Sequence, residues 1–200
     1  MKYDIKELEV WQKIGIACLL IVIPGIVGWL VEFMFYYIDN GVLHWKGGNF
    51  FPWINLYAVG AFLIFRCTYK FRNKPVYVFL ISVLVAGILE YLTGFVLFRF
   101  FGIRYWDYTD EFMNIHGYVC LTSLIFIGIG GLFVTNLLMP CLIKLSKTQP
   151  KKVFLMISVI LCALILTDEF YNFFIIKVFN LPRAIDIYRS ISLHFINFII

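Results

Sequence analysis

Apolar residues gather in long blocks along this chain, and the polar positions inside those blocks are few enough to name. Apolar runs cover about residues 14–38, 53–66, 76–98, 115–143 and 153–176. A helix needs about 20 residues to cross the hydrocarbon of a bilayer, so the second run is short while the others are long enough. That second run is expected either to cross with help from Phe50, Phe51 and Trp53 at the interface or to be re-entrant. The fourth contains Pro140 near its end, where a missing amide and a bulky ring predict a tilt or a break. In the tail, Arg183, Asp186, Ser190, His194 and Asn197 recur every three or four residues. This spacing predicts a helix over about 183–200 lying in the membrane interface; a sixth helix entering the membrane incompletely is the alternative. The expected architecture is an all-α integral membrane protein, one polytopic domain over 1–200 with about five transmembrane helices.

Composition agrees with this pattern. With 62% hydrophobic residues, 14% charged residues and a mean hydropathy of +0.89, the chain does not read as an ordinary soluble domain. Its first apolar run exceeds a signal-peptide core and lacks a small-residue cleavage site, so it is expected to stay.

The net charge of +5 gains meaning from its placement. Eleven of the seventeen Lys and Arg residues fall in the N-terminal segment, in 66–74 and in 144–152. If five spans alternate, those three segments share one side, and the positive-inside bias predicts an N-in, C-out orientation. Basic residues in short loops beside apolar spans meet lipid headgroups, so nucleic acid is not an expected partner. Cys18, Cys67, Cys120, Cys141 and Cys162 lie scattered through apolar segments with no CxxC spacing, and are expected to be buried free thiols.

Three spans carry a glutamate shortly before their ends: Glu32, Glu90, and Glu169 beside Asp168. A carboxylate in hydrocarbon costs a few kcal/mol even on lenient scales, so such a residue faces protein, a partner or a polar cavity. Helical spacing places each glutamate in a stripe of small or polar residues: Gly25, Gly28, Glu32, Tyr36; Ser82, Ala86, Glu90, Thr93, Gly94; Ser158, Cys162, Glu169, Asn172. Asp168 and Glu169 project about 100° apart, so one of them is expected to face the site. The three acids are expected to converge roughly 9–12 Å inside one end of the bundle.

Next to that depth lies the loop after the third span, with Arg104, Trp106, Asp107, Tyr108, Asn114 and His116. Arg104 suits a buried carboxylate or a phosphate because its guanidinium binds both as a fork. A structural alternative is an ion pair of Arg104, Asp107 and one glutamate that locks the loop to the bundle. His116 fits a hydrogen-bonding role at a helix end better than a ligand role. The order small residue, Glu, aromatic loop and Trp occurs twice, with Trp45 and Trp106, as a faint internal repeat.

Several chemistries have no motif. The chain lacks GxxxxGK[ST], HExxH and GxSxG, so ATP hydrolysis would have to come from another chain, and neither a metal nor a cofactor is expected.

The run Glu90–Leu121, EYLTGFVLFRFFGIRYWDYTDEFMNIHGYVCL, resembles the signature of the putative ABC-transporter permease family (type IV, CmpB-like). GWLVE at Gly28–Glu32 and FPWINLYAVG at Phe51–Gly60 resemble two further family segments. The resemblance implies a bacterial multi-pass protein of the cytoplasmic membrane with a proposed transport role. It places the family's polar positions on Glu32, Pro52, Tyr57, Glu90, Thr93, Gly94, Arg104, Trp106, Asp107, Tyr108, Asn114 and Gly117. Departures are Phe51, Asn55 and Ala58 in the second segment, and Phe98 and Tyr118, where the family tends to have Glu and Arg. If that Glu and Arg form a pair, this chain has lost both charges together.

The functional expectation is the transmembrane component of an ABC-type transport system with an outward-facing polar site. Its residues would be Glu32, Glu90, Glu169, Thr93, Arg104, Trp106, Asp107, Tyr108 and Asn114. Expected partners are the bilayer, a separate ATPase subunit and further copies of the chain. The alternatives are a membrane enzyme acting on lipid-linked or headgroup substrates, and a structural or regulatory subunit.

Overall fold

Helices account for nearly all regular structure in the computed structural model, which describes residues 4–41, 49–182, 184 and 186–188, with only the backbone described at Asp39, Asn40, Phe173 and Lys177. They are α1 (Val10–Asn40), α2 (Asn55–Thr68), α3 (Pro75–Phe101), α4 (Leu121–Leu132), α5 (Met139–Thr148), α6 (Lys151–Phe170) and the single turn α7 (Ile176–Phe179). An isolated bridge joins Ile115 and Val119, and no strand occurs among the described residues. Four helical stretches are long and apolar enough to cross a membrane: Val10–Ile38, Pro75–Phe101, Leu121–Thr148 and Lys151–Phe170. The chain is an all-α membrane protein.

The helix boundaries differ from those the hydropathy implies. Beyond its apolar run, α1 is extended at its start by a capping box between Glu9 and Gln12. In α3, Pro75 stands at the first position, where its missing amide removes no helix bond. The fourth span begins later than expected: residues 115–120 belong to the preceding loop, and Cys120 caps α4. Pro140 does not break this span. A π-helical turn at Phe133–Leu138 directly precedes it, widening the backbone where the proline ring would meet an upstream carbonyl. Another π-helical turn, Tyr171–Ile175, links α6 to α7.

The helices pack in the order α6, α1, α2, α3, α4, each against the next. Small residues set the separations. A side-chain carbon at Gly28 would fall on the Tyr57 ring, and one at Gly25 on the Trp53 indole, so both glycines let α1 touch these rings. On α3 the stripe Ser82, Ala86, Glu90 and Gly94 is buried, whereas Leu84, Ile88 and Leu92 on the far face are more than half exposed. Apolar outside and polar inside is the arrangement that hydrocarbon solvent selects.

Contacts gather the three basic segments at one end of the bundle. The Tyr69 hydroxyl donates to Asp4 (2.6 Å), Gln12 donates to the Ser146 carbonyl (3.2 Å), and Lys151 lies over the Trp11 ring. At the opposite end, the Tyr188 hydroxyl donates to the Phe50 carbonyl (2.7 Å). Ala184 and Asp186–Tyr188 are helical; the rest of the expected interfacial helix, and Trp45 of the faint repeat, lie outside the described residues.

The second apolar run is a helix of 14 residues, about 21 Å long and too short to cross alone. A bent, non-helical strap, 49–54, leads into it; Pro52 disfavours helix at the residue before it. The strap reaches deep into the bundle: the Ile54 amide donates to the carbonyl of Gly25, halfway along α1 (3.1 Å). Cys18, Cys67, Cys120, Cys141 and Cys162 are free thiols; Cys120 and Cys162 are buried, but Cys67 and Cys141 are exposed, contrary to the expectation of general burial.

Candidate functional site

Glu90 is the buried acid of α3, 6% exposed, and both its oxygens are used. The Tyr108 hydroxyl donates to Oε1 at 3.2 Å, and the Ser123 hydroxyl donates to Oε2 at 3.0 Å. One carboxylate therefore ties three pieces of chain together: α3, the loop after it, and the first turn of α4. The Ser123 amide donates to the Cys120 sulfur and the Cys120 amide donates to the Ser123 hydroxyl, which fixes its position in the α4 cap. Burial, followed by the nearby Glu90 charge, raises the Tyr108 pKa well above that of an ordinary phenol, so Tyr108 stays a donor.

Glu32 of α1 joins this group beside Tyr57 of α2. The Tyr57 ring lies against Gly28, one helical turn before Glu32, within electrostatic range of both Glu32 and Glu90. Glu32 and Glu90 are also within electrostatic range of each other. Counted from the helix ends, they lie about 12 and 16 Å deep at ~1.5 Å per residue, deeper than expected because the helices are longer. Two carboxylates, two phenols and a serine hydroxyl thus form one polar cluster between α1, α2, α3 and α4.

Glu169 is not part of it. It accepts from Asn49 at 2.6 Å and from Asn55 at 3.5 Å. Asn55 and Tyr57 project from nearly opposite sides of α2, so the helix separates the two groups. Asp168 is the buried member of the α6 pair, at 6%. Its Oδ1 and Oδ2 accept the consecutive amides of Phe50 and Phe51 (3.0 and 2.8 Å), and Asn172 donates to Oδ1 at 2.6 Å. The helical stripe had placed Glu169 inward. The donors of the strap lie on the Asp168 side, and in an apolar medium a carboxylate turns to its donors.

The loop 102–120 is held by its own side chains. Arg104 pairs with Asp107 at 2.9 Å, donates to Thr109 and to the His116 carbonyl, and lies over the rings of Phe98 and Tyr118. Its bonds go to the loop, with Asp107 in place of a buried glutamate. The two positions where the family tends to carry Glu and Arg thus flank the same guanidinium. Hydrogen bonds from the Thr109 hydroxyl and amide are the main reason the Asp107 pKa is lowered, with the Arg104 charge contributing less.

Asn114 staples the turn, donating to the Thr109 and Glu111 carbonyls and accepting the Gly117 amide. The Trp106 indole donates to the Tyr118 carbonyl (2.9 Å), and Tyr91 and His116 share a hydrogen bond of 3.0 Å. Thr93 is half-buried on the turn after Glu90, outside the pair of donors that the carboxylate uses.

Of the positions read from the sequence, Glu32, Glu90 and Tyr108 come together; Arg104, Asp107, Trp106 and Asn114 form the loop that delivers Tyr108. Ser123 escaped the sequence reading, since a lone serine in an apolar helix resembles a backbone-bonded one. Tyr57 had only the family resemblance to point to it.

A family model described as "Putative ABC-transporter type IV" matches residues 19–173, a range containing every member of this cluster. No curated protein and no solved structure matches the chain.

Proposed function

This chain belongs to the putative ABC-transporter type IV family, and on that premise we propose that it is the permease-like membrane component of a transport system driven by a separate ATPase. It is a membrane protein, and the family is one of transport. Glu32, Tyr57, Glu90, Tyr108 and Ser123 are the polar site that this reading assigns to substrate or coupling ion, with the 102–120 loop as its cover. The observation that carries it is buried Glu90 accepting from Tyr108 and Ser123, with Tyr57 and half-buried Glu32 within electrostatic range. Carboxylates are retained in such a place at a cost of several kcal/mol only where they are satisfied or used. Gathered basic segments at the other end support an orientation with that end cytoplasmic and the cluster on the outer side.

The test is purification from native membranes followed by reconstitution with whatever ATPase accompanies the chain. We expect an ATPase to co-purify and ATP-driven flux to be lost in Glu90→Gln and in Glu32→Gln, while Glu169→Gln retains it. Absence of an ATPase together with flux indifferent to Glu90 would overturn the reading.

A further inference from the structure

The loop 102–120 exposes large apolar side chains that its own fold leaves uncovered. Phe112 and Met113 are 72% and 64% exposed, and Ile103, Tyr105 and Ile115 are exposed as well. Single exposed apolar residues are ordinary on any protein, whereas a group of them marks a surface that meets something apolar. What it meets depends on the depth at which the loop sits.

Hydrogen bonds set that depth. Lys144 opens the basic segment 144–152 and so marks the headgroups on one side of the bilayer. From there the helical stretch Leu121–Thr148 rises about 35 Å to Leu121, at ~1.5 Å per residue. The hydrocarbon is about 30 Å thick, so Leu121 stands at the opposite headgroup boundary. The Leu121 amide donates to the Phe112 carbonyl (3.3 Å), which brings the tip of the loop to that boundary. The loop also folds back along α3: Tyr108 reaches Glu90 and His116 reaches Tyr91, both well before the end of that helix.

The apolar side chains continue the lipid-facing surface of the helices. Ile115 and Val119 line one apolar groove together with Leu124 of α4 and with Leu84, Ile88 and Leu92 on the exposed face of α3. The amides of Tyr108, Glu111, Asn114, Ile115, Tyr118 and Leu121 all donate to carbonyls of the loop. Such self-sufficiency is what a backbone needs where little water reaches it. Asp110 and Glu111 are exposed too, and ionised carboxylates hold the loop at the headgroups and out of the hydrocarbon.

We propose that the loop 102–120 is a lipid-seated anchor, with Tyr105, Phe112, Met113 and Ile115 resting in the boundary between headgroups and acyl chains. The partner is bilayer phospholipid, because this surface is continuous with the lipid-facing sides of α3 and α4 and lies at their level. A second copy of the chain or another protein is the rival occupant. Tyr105 and Trp106 add amphipathic rings of the kind that favour the headgroup level. Tyr108 is then carried by a loop held from two directions, by Glu90 through its hydroxyl and by lipid through its apolar side chains. Neither the depth nor the exposure depends on what the protein transports, so the anchor and the transport reading fail separately.

Hydroxyl-radical footprinting of the full chain, one copy per lipid nanodisc, reads the surroundings of Met113 without altering the loop. Met156, exposed within the apolar run of α6, is the lipid-covered reference, and Asn73→Met, in the basic loop 66–74, is the water-facing one. Oxidation of Met113 should be lost to nearly the level of Met156. Oxidation of Met113 as fast as that of the Asn73→Met side chain overturns the anchor. A second measurement identifies the cover. Nanodiscs of phosphatidylcholine with a diazirine in the acyl chain are photolysed, and the adducts are mapped by tandem mass spectrometry. Lipid adducts should appear over 112–115. A protected Met113 without lipid adducts there means that protein covers the loop, and this also overturns the anchor.

Discussion

Tyr108 donates to Glu90 across 3.2 Å, joining a loop residue to a buried acid eighteen positions earlier in the chain. This bond and its companion from Ser123 make Glu90 the point where α3, the loop and α4 are held together. The consequences can be measured in the purified protein.

Removing either donor should weaken the fold locally. Tyr108→Phe and Ser123→Ala each delete one hydrogen bond to a carboxylate, at a cost of about 1.5–3 kcal/mol. Thermal unfolding in detergent should show both losses. The double variant should depart from their sum, because the two donors share one acceptor.

Close packing at Gly94 gives a steric test. A side-chain carbon there would lie 2.9 Å from the Tyr118 ring and 3.4 Å from Trp106. Gly94→Val should destabilise by about 1–3 kcal/mol, as overpacking does. The 102–120 loop should lift off α3, read as a shift in the Trp106 fluorescence of a variant in which Trp11, Trp29, Trp45 and Trp53 are Phe.

The buried pair Thr68 and Thr135 joins α2 to the π-helical turn after α4, with 2.8 Å between hydroxyls. Thr135→Val should cost about 1 kcal/mol, since Thr68 loses this hydrogen bond while keeping the one to the Ile64 carbonyl. The double change to valine should depart from the sum of the two single ones, because the two hydroxyls interact directly. A double-mutant cycle on unfolding midpoints checks this.

Acid should act on the loop through Asp107. Its folded pKa lies below the ordinary value of 3.8, so its contribution is fully present above that value and is lost as pH falls through the lowered one. Between pH 5 and 8, Asp107 should therefore add no pH dependence to loop order. In the single-Trp106 variant, a fluorescence transition should appear below pH 3.8 and be absent after Asp107→Asn.

Much of the architecture was legible in the residues. Apolar runs longer than a bilayer is thick admit few structures, since backbone amides in lipid must be satisfied within the segment. The same force made Glu32 and Glu90 conspicuous, and helical spacing placed Ser82, Ala86, Glu90 and Gly94 on one buried face. Clustering of basic residues into alternate segments likewise foretold which ends would meet.

Tertiary structure decided what depends on contacts between distant segments. Hydropathy registers that the second run is short, yet only packing shows a strap ending on the Gly25 carbonyl and held by Asp168. Periodicity favoured Glu169 over Asp168 because it knows nothing of where the donors lie. Arg104 looked like a partner for a buried acid, and Asp107 three residues away took it instead. Spacing along a helix fixes which face a side chain leaves from, and that follows from local geometry. The group it meets depends on which donors and acceptors the rest of the chain has left unpaired, and that is settled only when all the segments have packed.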